Sequence, residues 1–448
     1  MITYQDYLKV GNTEQAKQDF ILSAINHYKG SRFYKNAYAG KAYYELRNIT
    51  ILRFQKWLYD AIGQRVEDKI SANHKCGEGL FKHFVRQQNS CLLSNGVTFN
   101  DKNTKDKLGG VMFDVDLSDA GIKALWGGVV YGFFNIDHIV YFDALEFVPL
   151  YDEITGALMA GIRYYQIDSS KPLSVTFYEL DGYTGYLYGV GGDGTNIAEI
   201  TEPKRAYKLV KGVSGVGEEI LAGENYPTFP IVPLWGNTEH QSELTDMLRN
   251  EIDSYDLIIS GLANIIDDTS DVFWTLTNAN ANDEFDAIQF KNMVKRLQVA
   301  YDGAAPSTIN IPYDARIAAL NTLKEDMYSA YGAMDTKNVY AGNVSATAVR
   351  AAYEVLKEKV ETYETCVMRF IMEILKLAGI DDSPKFNYSM IANAAEEIQT
   401  IMLTGECTSR QYKTRKILTL LGDIDQVEEV EKEIVAEELA RFNMPDGE

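Results

Sequence analysis

FPIVPLWGNTEHQSELTDMLRNEIDSYDLIISGLANIIDDTSDVFWTL, residues 229–276, passes from strand to helix within a single stretch. The opening run, FPIVPL, is apolar and rich in β-forming residues, and from about residue 238 the apolar positions recur with helical period. At that spacing Ile252, Tyr255, Ile259, Leu262, Ile266 and Phe273 fall on one side of the helix. Asp253, Asp256, Ser260, Asp267 and Asp271 fall on another. A carboxylate stripe of this length faces bulk water or, if several copies stand in a ring, a shared aqueous bore.

Upstream, residues 145–235 alternate in β fashion (EFVPLY, GIRYYQI, LSVTFYEL, GYLYGV, RAYKLV), with turn signals DEITG, SSKP and GGDGTN between them, which predicts an antiparallel β region. Further upstream, TEQAKQDFILSAINHYKG, residues 13–30, reads as a helix capped by Thr13 and stopped at Gly30. The Tyr- and Lys-rich stretch after it reads as another helix. Between about 50 and 95, LRFQKWLYDAIGQRVEDKI and GLFKHFVRQQNSCLL predict two more, and the texture to about 140 is mixed. Downstream, helices are expected over 313–334 and 347–379. In the second of these Val349, Tyr353, Leu356, Val360, Tyr363, Val367, Phe370, Ile374 and Leu377 form a seam at spacings of four and three, roughly 45–50 Å long at about 1.5 Å per residue. Residues 391–448 are helical in pattern and end acidic.

Composition sets limits. With 448 residues, 46% of them apolar, the chain is globular and long enough for about three domains. Apolar runs such as IVPLW fall short of the ~20 residues that cross a bilayer, and the N-terminus lacks a signal pattern, so a soluble, unsecreted chain is expected. Cys76, Cys91, Cys366 and Cys407 are widely spaced and suggest neither disulfides nor zinc. A net charge of −21 excludes a strong electrostatic grip on DNA, though not a non-stick surface past which DNA moves.

Chemical motifs are lacking. GVGGDGTN, 189–196, lies between β patterns with no GK[ST] after it, and reads as a hairpin turn. KGVSGVGEE, 211–219, lacks the glycine two residues after Ser214 that a nucleophile elbow needs. The five histidines have no common metal-ligand spacing, and Asp137 beside His138 does not make a dyad unaided. Asp267, Asp268 and Asp271 have the oxygen ligands for a divalent cation but read as a hydrated face. No catalytic residue, metal or cofactor is expected. The competing class is a cytosolic enzyme with an unrecognised carboxylate site in the β domain.

The order of these parts resembles the portal proteins of long-tailed bacteriophages. HYKGSRFYKNAYAGKAYYELRN, with Tyr43 and Tyr44, is similar to that family's helix with a paired-Tyr motif. GLFKHFVRQQNSCLLSNGVTF resembles its helix running into a Val-Thr turn, with Ser94-Asn95-Gly96 where a Gly-Asn or Gly-Lys pair before proline is common. The fullest likeness is 229–276, centred on Ile252, Asp253, Tyr255 and Asp256.

The resemblance implies an α+β portal-type fold assembled as a ring: a mixed α/β wing, a two-helix stem, a small α/β clip, a long kinked helix and an α-helical crown. The segments implied are 1–60, N-terminal helical part of the wing; 61–237, wing with antiparallel β; 238–270, first stem helix; 271–312, clip; 313–335, second stem helix; 336–346, tunnel loop; 347–390, long helix and connection; 391–448, crown. Of the family's glycine-rich tunnel loop only Gly342 is present. It implies a virion component built in the host bacterial cytoplasm: a homododecamer passing double-stranded DNA at one capsid vertex. Its implied partners are the terminase large subunit, major capsid and scaffolding proteins, and a head-completion connector, with no membrane. Asp253, Asp256, Asp267 and Asp271 would then line the bore. Lys337, Asn338, Val339 and Tyr340 would be the tunnel-loop residues beside DNA, and Lys291, Lys295 and Arg296 would be clip contacts.

Overall fold

The computed structural model describes residues 2–11, 13–59, 64–69, 71–168, 170–190, 196–213, 219–268, 313–335, 346–388, 398, 401–403, 408–421 and 427–442. The chain divides into two compact units: Met1–Ala333 with Lys359–Tyr388, and Met334–Glu358 with Ser389–Glu448.

The first unit opens with helices whose ends are set by short polar side chains. In α1 (Tyr4–Leu8) Thr3 and Asp6 form a reciprocal capping box, and Thr13 caps α2 (Glu14–Gly30) by accepting from the Ala16 N–H. Ser31 ends α2 and caps α3 (Arg32–Tyr44) through the Tyr34 N–H. Asn48 caps α4 (Ile49–Arg53). These helices bear out the readings over 13–30 and 31–44.

The helix expected over residues 52–70 is corrected. After α4 the chain forms a two-stranded hairpin, β1 (Trp57–Tyr59) with β2 (Arg65–Glu67), its base closed by the Asp68 N–H donating to the Lys56 carbonyl at 2.9 Å. A helix here would need a buried stripe, but Trp57 and Val66 are exposed, and Arg65 lies over the Trp57 ring at 4.3 Å across the strands. A strap, residues 71–79, follows without regular structure, and then α5 (Leu80–Leu93), which buries Phe81, Phe84, Val85 and Leu92.

After β3 (Val97–Thr98) comes α6 (Phe113–Gly127). β4 (Val129–Asn135), β5 (His138–Asp143), β6 (Phe147–Tyr151), β7 (Leu158–Tyr165), β8 (Leu173–Glu179), β9 (Gly182–Val190), β10 (Asn196–Arg205), β11 (Lys208–Val213), β12 (Glu219–Glu224) and β13 (Ile231–Trp235) follow; β6 to β13 are the antiparallel region that alternation predicts, and β4 and β5 extend it upstream. They form a five-stranded sheet in the order β10-β9-β8-β7-β6, a three-stranded sheet β13-β4-β5 and the hairpin β11-β12. β9 pairs with β10 and β11 with β12, both antiparallel, while the central residues of GVGGDGTN (191–195) and KGVSGVGEE (214–218) lie outside the described residues. Ile21, Ala24, Ile25 and Tyr28 of α2 pack on Val148, Leu150, Ile162, Val175, Phe177 and Tyr186 of the large sheet, and each large side chain removed from water there contributes about 1.5–3 kcal/mol.

α7 (Asp246–Asp268) begins later than expected, because residues 237–245 form a turn in which Asn237 bonds the Gln241 main chain and Ser242 Oγ donates to the Trp126 carbonyl at 2.7 Å. α8 (Tyr313–Tyr331) runs antiparallel to α7: Asp326 is felt by Glu251 at one end, and Arg316 Nη1 stands beside Gly261 at the other. In α9 (Ala346–Ala378) every described member of the predicted seam is buried, from Tyr353 to Leu377. Its residues from Lys359 onward belong to the first unit, as does β14 (Lys385–Phe386), which pairs with β3. In the second unit are α10 (Arg410–Leu421) and α11 (Val427–Phe442), joined by Arg415 bonding both Glu431 carboxylate oxygens at 2.9 Å. Among the described residues no helix is long and apolar enough to cross a membrane.

Candidate functional site

The acidic helix faces its own chain. Asp256, Ser260 and Asn264 of α7 are all buried, and at four-residue spacing they stand one above another on the helix. Opposite them lies the strap. Asn264 Oδ1 accepts from the His74 N–H at 2.6 Å, Ser260 Oγ from the Cys76 N–H at 3.0 Å, and Asp256 Oδ1 from the Glu78 N–H at 3.1 Å. Ser260 also donates back to the Cys76 carbonyl at 3.2 Å. Donors on alternate strap residues thus meet acceptors on every fourth helix residue, the strap running antiparallel to α7.

The match is geometric. Two residues of extended chain advance about 6.6 Å and four residues of helix about 6.0 Å, so three rungs stay in register within hydrogen-bond tolerance. An extended chain also turns alternate N–H groups to one side, which gives the ladder its step of two. This stripe satisfies three part-buried main-chain donors of a segment outside any helix or sheet, bonds that contribute about 0.5–1.5 kcal/mol each. Gly77 lies at the closest approach, where a Cβ would stand 3.3 Å from Asp256 Oδ2, tight enough that the carboxylate would have to give by a few tenths of an ångström.

Asp256 is also the hub to α4: the Asn48 side chain, while capping that helix, donates Nδ2–H to Asp256 Oδ2 at 2.8 Å. Burial raises the Asp256 carboxyl above its ordinary range; the bonds from Asn48 and the Glu78 N–H pull it back, and the neighbouring Asp253 and Glu78 carboxylates push it up again. Asp253 is half-buried and accepts from the Tyr43 hydroxyl of α3. Asp267, 57% exposed, pairs with His74 Nε2. Glu78 reaches α8 through Lys324 at 3.6 Å.

The predicted stripe therefore separates. Asp256, at 2% exposure within one protomer, is corrected from lumen acid to buried tether, because its lone pairs are taken by Asn48 and the strap. Asp253 and Asp267 keep solvent-exposed surface. Ile252 and Tyr255 are buried as predicted, but Ile266 is 66% exposed. Asp271, Lys291, Lys295, Arg296, Lys337, Asn338, Val339 and Tyr340 lie outside the described residues. Sequence reasoning missed Asn48, Gly77 and Asn264. The available signal was the mixed chemistry of the stripe, since Asp, Ser and Asn are the side chains that readily bond main-chain groups.

Elsewhere, Asp137 and His138 do meet, His138 Nδ1 lying 2.7 Å from Asp137 Oδ1, but both are exposed and adjacent on a turn, with no nucleophile in the contact. No group of three or more His, Cys, Asp or Glu side chains able to hold a metal ion occurs among the described residues.

Comparison with known proteins adds the following. The family profile described as "Phage portal protein, SPP1 Gp6-like" matches residues 25–441. A portal protein of Clostridium phage phiCD119 is 26% identical over 313 residues, 64% of this chain and 63% of that one, so the match spans less than two thirds of this relative's length. Among solved structures, the neck of an empty GTA particle computed with C6 symmetry aligns at a TM-score of 0.39 with 8% identity, over 76% of this chain and 90% of that one. A chain from the virion of a native gene transfer agent particle aligns at 0.37 with 10% identity, over 75% and 87%.

Proposed function

The chain belongs to the SPP1 Gp6-like family of phage portal proteins, and on that premise we propose that twelve copies form a ring at one capsid vertex, through which double-stranded DNA is packaged and later ejected. The terminase large subunit and a head-completion connector dock on this ring, and the major capsid and scaffolding proteins surround it. The reading assigns the chain no catalysis and places it in the virion. The observation that carries it is the family match over 25–441, which takes in the β region, the α7–α8 pair and the long α9. Its physics agrees. A conduit should not hold its cargo, because each phosphate neutralised by Lys or Arg adds affinity that translocation must undo, and a chain of net charge −21 avoids that friction. A heterologous interface that closes by rotation yields such a ring.

Within this reading the antiparallel α7 and α8 are the stem, and the strap ladder clamps it to the body of the same protomer. Asp253, Asp267 and, by resemblance, Asp271 are the proposed lumen acids. Lys337, Asn338, Val339 and Tyr340 are proposed beside DNA, and Lys291, Lys295 and Arg296 at the partner-facing clip. The test is the native mass and negative-stain image of the protein produced with its scaffolding and capsid proteins, followed by packaging with Asp253→Lys and Asp267→Lys combined. About a dozen subunits around an open centre, and slowed packaging by an intact variant ring, are expected. Persistent single protomers would overturn the ring; normal packaging by the variant would overturn the lumen assignment.

A further inference from the structure

Beside the strap lies a groove of about 320 Å³, floored by Ile51 and Phe54 on one side and by Leu257 and Ile265 of α7 on the other. Phe54 and Leu257 are 43% and 44% exposed, a large apolar area to leave in water. Around this floor stand Lys56, Lys75 and Arg316, and no carboxylate lines the groove among the described residues. Lys56 Nζ is steered by the Ala72 carbonyl at 2.5 Å and Lys75 Nζ by the Phe54 carbonyl, contacts that orient the ammonium groups without neutralising them. Arg316 has no ion pair among the described residues, and the acids that flank the α7 wall in sequence are already engaged, Asp256 by Asn48 and the Glu78 N–H and Asp267 by His74. Burial and the neighbouring Lys56 draw Lys75 below the usual lysine range, as expected of cations gathered without a counter-charge.

We propose that this groove is a subunit interface and that its occupant is a carboxylate-bearing segment of a second copy of this chain. The inference rests on the ring reading above and names the surface that closes the ring. Three cations converge on a chain with 64 acidic and 43 basic residues, so a neighbouring copy supplies complementary charge. The apolar floor with a cationic rim, one of its cations an arginine, has the make-up of an interface core. A closed ring needs two different patches that complement each other, here a basic groove meeting an acidic face. DNA is the poorer occupant: its backbone is met by polar and charged groups, whereas this floor is apolar, and the groove is far too small for a duplex.

The test uses the full chain with its scaffolding and capsid proteins. Lys56→Glu with Arg316→Glu should keep the wild-type unfolding midpoint and cut the ring yield at least tenfold, and wild-type assembly should weaken as salt rises. Carbodiimide coupling in a mixture of ¹⁴N- and ¹⁵N-labelled protein should give mixed-isotope cross-links from Lys56 or Lys75 to Asp or Glu. Unchanged ring yield in the variant, or cross-links confined to single-isotope pairs, would overturn the proposal. So would a variant ring of normal yield that loses only DNA retention, which would give the groove to phosphate. A wild-type chain that forms no ring removes the portal reading and this inference together, whereas a wild-type ring with an unaffected variant removes the inference alone.

Discussion

Where α2 lies on the five-stranded sheet, Ile21, Ile25 and Tyr28 meet Ile162, Val175 and Phe177, and attachment comes from apolar area removed from water. Where α7 meets the strap, the buried Asp256, Ser260 and Asn264 meet main-chain N–H groups, and attachment comes from pairing polar side chains that burial would otherwise orphan. The first contact is non-directional and tolerates sliding by fractions of an ångström. The second is directional, so it fixes how far along the strap α7 sits. A helix that must be held at one height on its protomer, as the stem of a conduit must be, is better served by the second.

The largest effect should come from the apolar contact. Phe177→Ala is expected to cost about 3–5 kcal/mol in urea unfolding of the protomer, from lost transfer energy plus the cavity left behind. Next comes the hub of the polar contact: Asp256→Ala strands the Glu78 N–H and the Asn48 amide together and should cost about 2–4 kcal/mol. Amide exchange should quicken at Glu78 while Phe177 and its sheet neighbours stay protected; a general loss of protection would erase the distinction between the two regions. Ser260→Ala should cost about 1–2 kcal/mol, and its double mutant with Asn264→Ala should depart from additivity by more than about 0.5 kcal/mol if the rungs share one strap.

The smallest and most discriminating effect is in pH. The folded Asp256 carboxyl is raised, so the fold takes up a proton there before the unfolded chain does; its contribution is full below the ordinary value of 3.8 and is lost as pH rises through the folded value. Relative to Asp256→Asn, the wild type should therefore gain stability as pH is lowered from about 7 towards 4. Asp382 is the opposite case. Thr104 and the Asp101, Ser383 and Asn100 N–H groups hold its carboxyl well below the usual range, so relative to Asp382→Asn the wild type should lose stability as pH falls below 3.8. Matching slopes for the two residues would refute the assignment of Asp256 as a desolvated tether.

What could be read in advance follows the same division. Period-two alternation from 145 to 235 and the four-three seam of α9 report burial, which apolar side chains write into sequence directly. The paired strands at 57–59 and 65–67 carry a helical pattern in sequence because Trp57 and Val66 look like part of a buried stripe and are instead exposed. The stripe of α7 was legible as a stripe, yet its partner was not, because the strap contributes main-chain donors and every residue except proline carries one. SANHKCGEG shows no period, so nothing in it announces that His74, Cys76 and Glu78 stand on one side.

The ladder also carries a rule of parity. Because the strap presents alternate N–H groups, inserting a single residue between His74 and Glu78 would turn part of its donors away from α7, and Gly77 would leave its close approach to the Asp256 carboxylate. Inserting two residues would restore the facing and merely shift the pairing by one rung, about 6 Å along the helix. Length changes in this segment thus come in even and odd kinds, the even ones resetting the height of the helix and the odd ones releasing it.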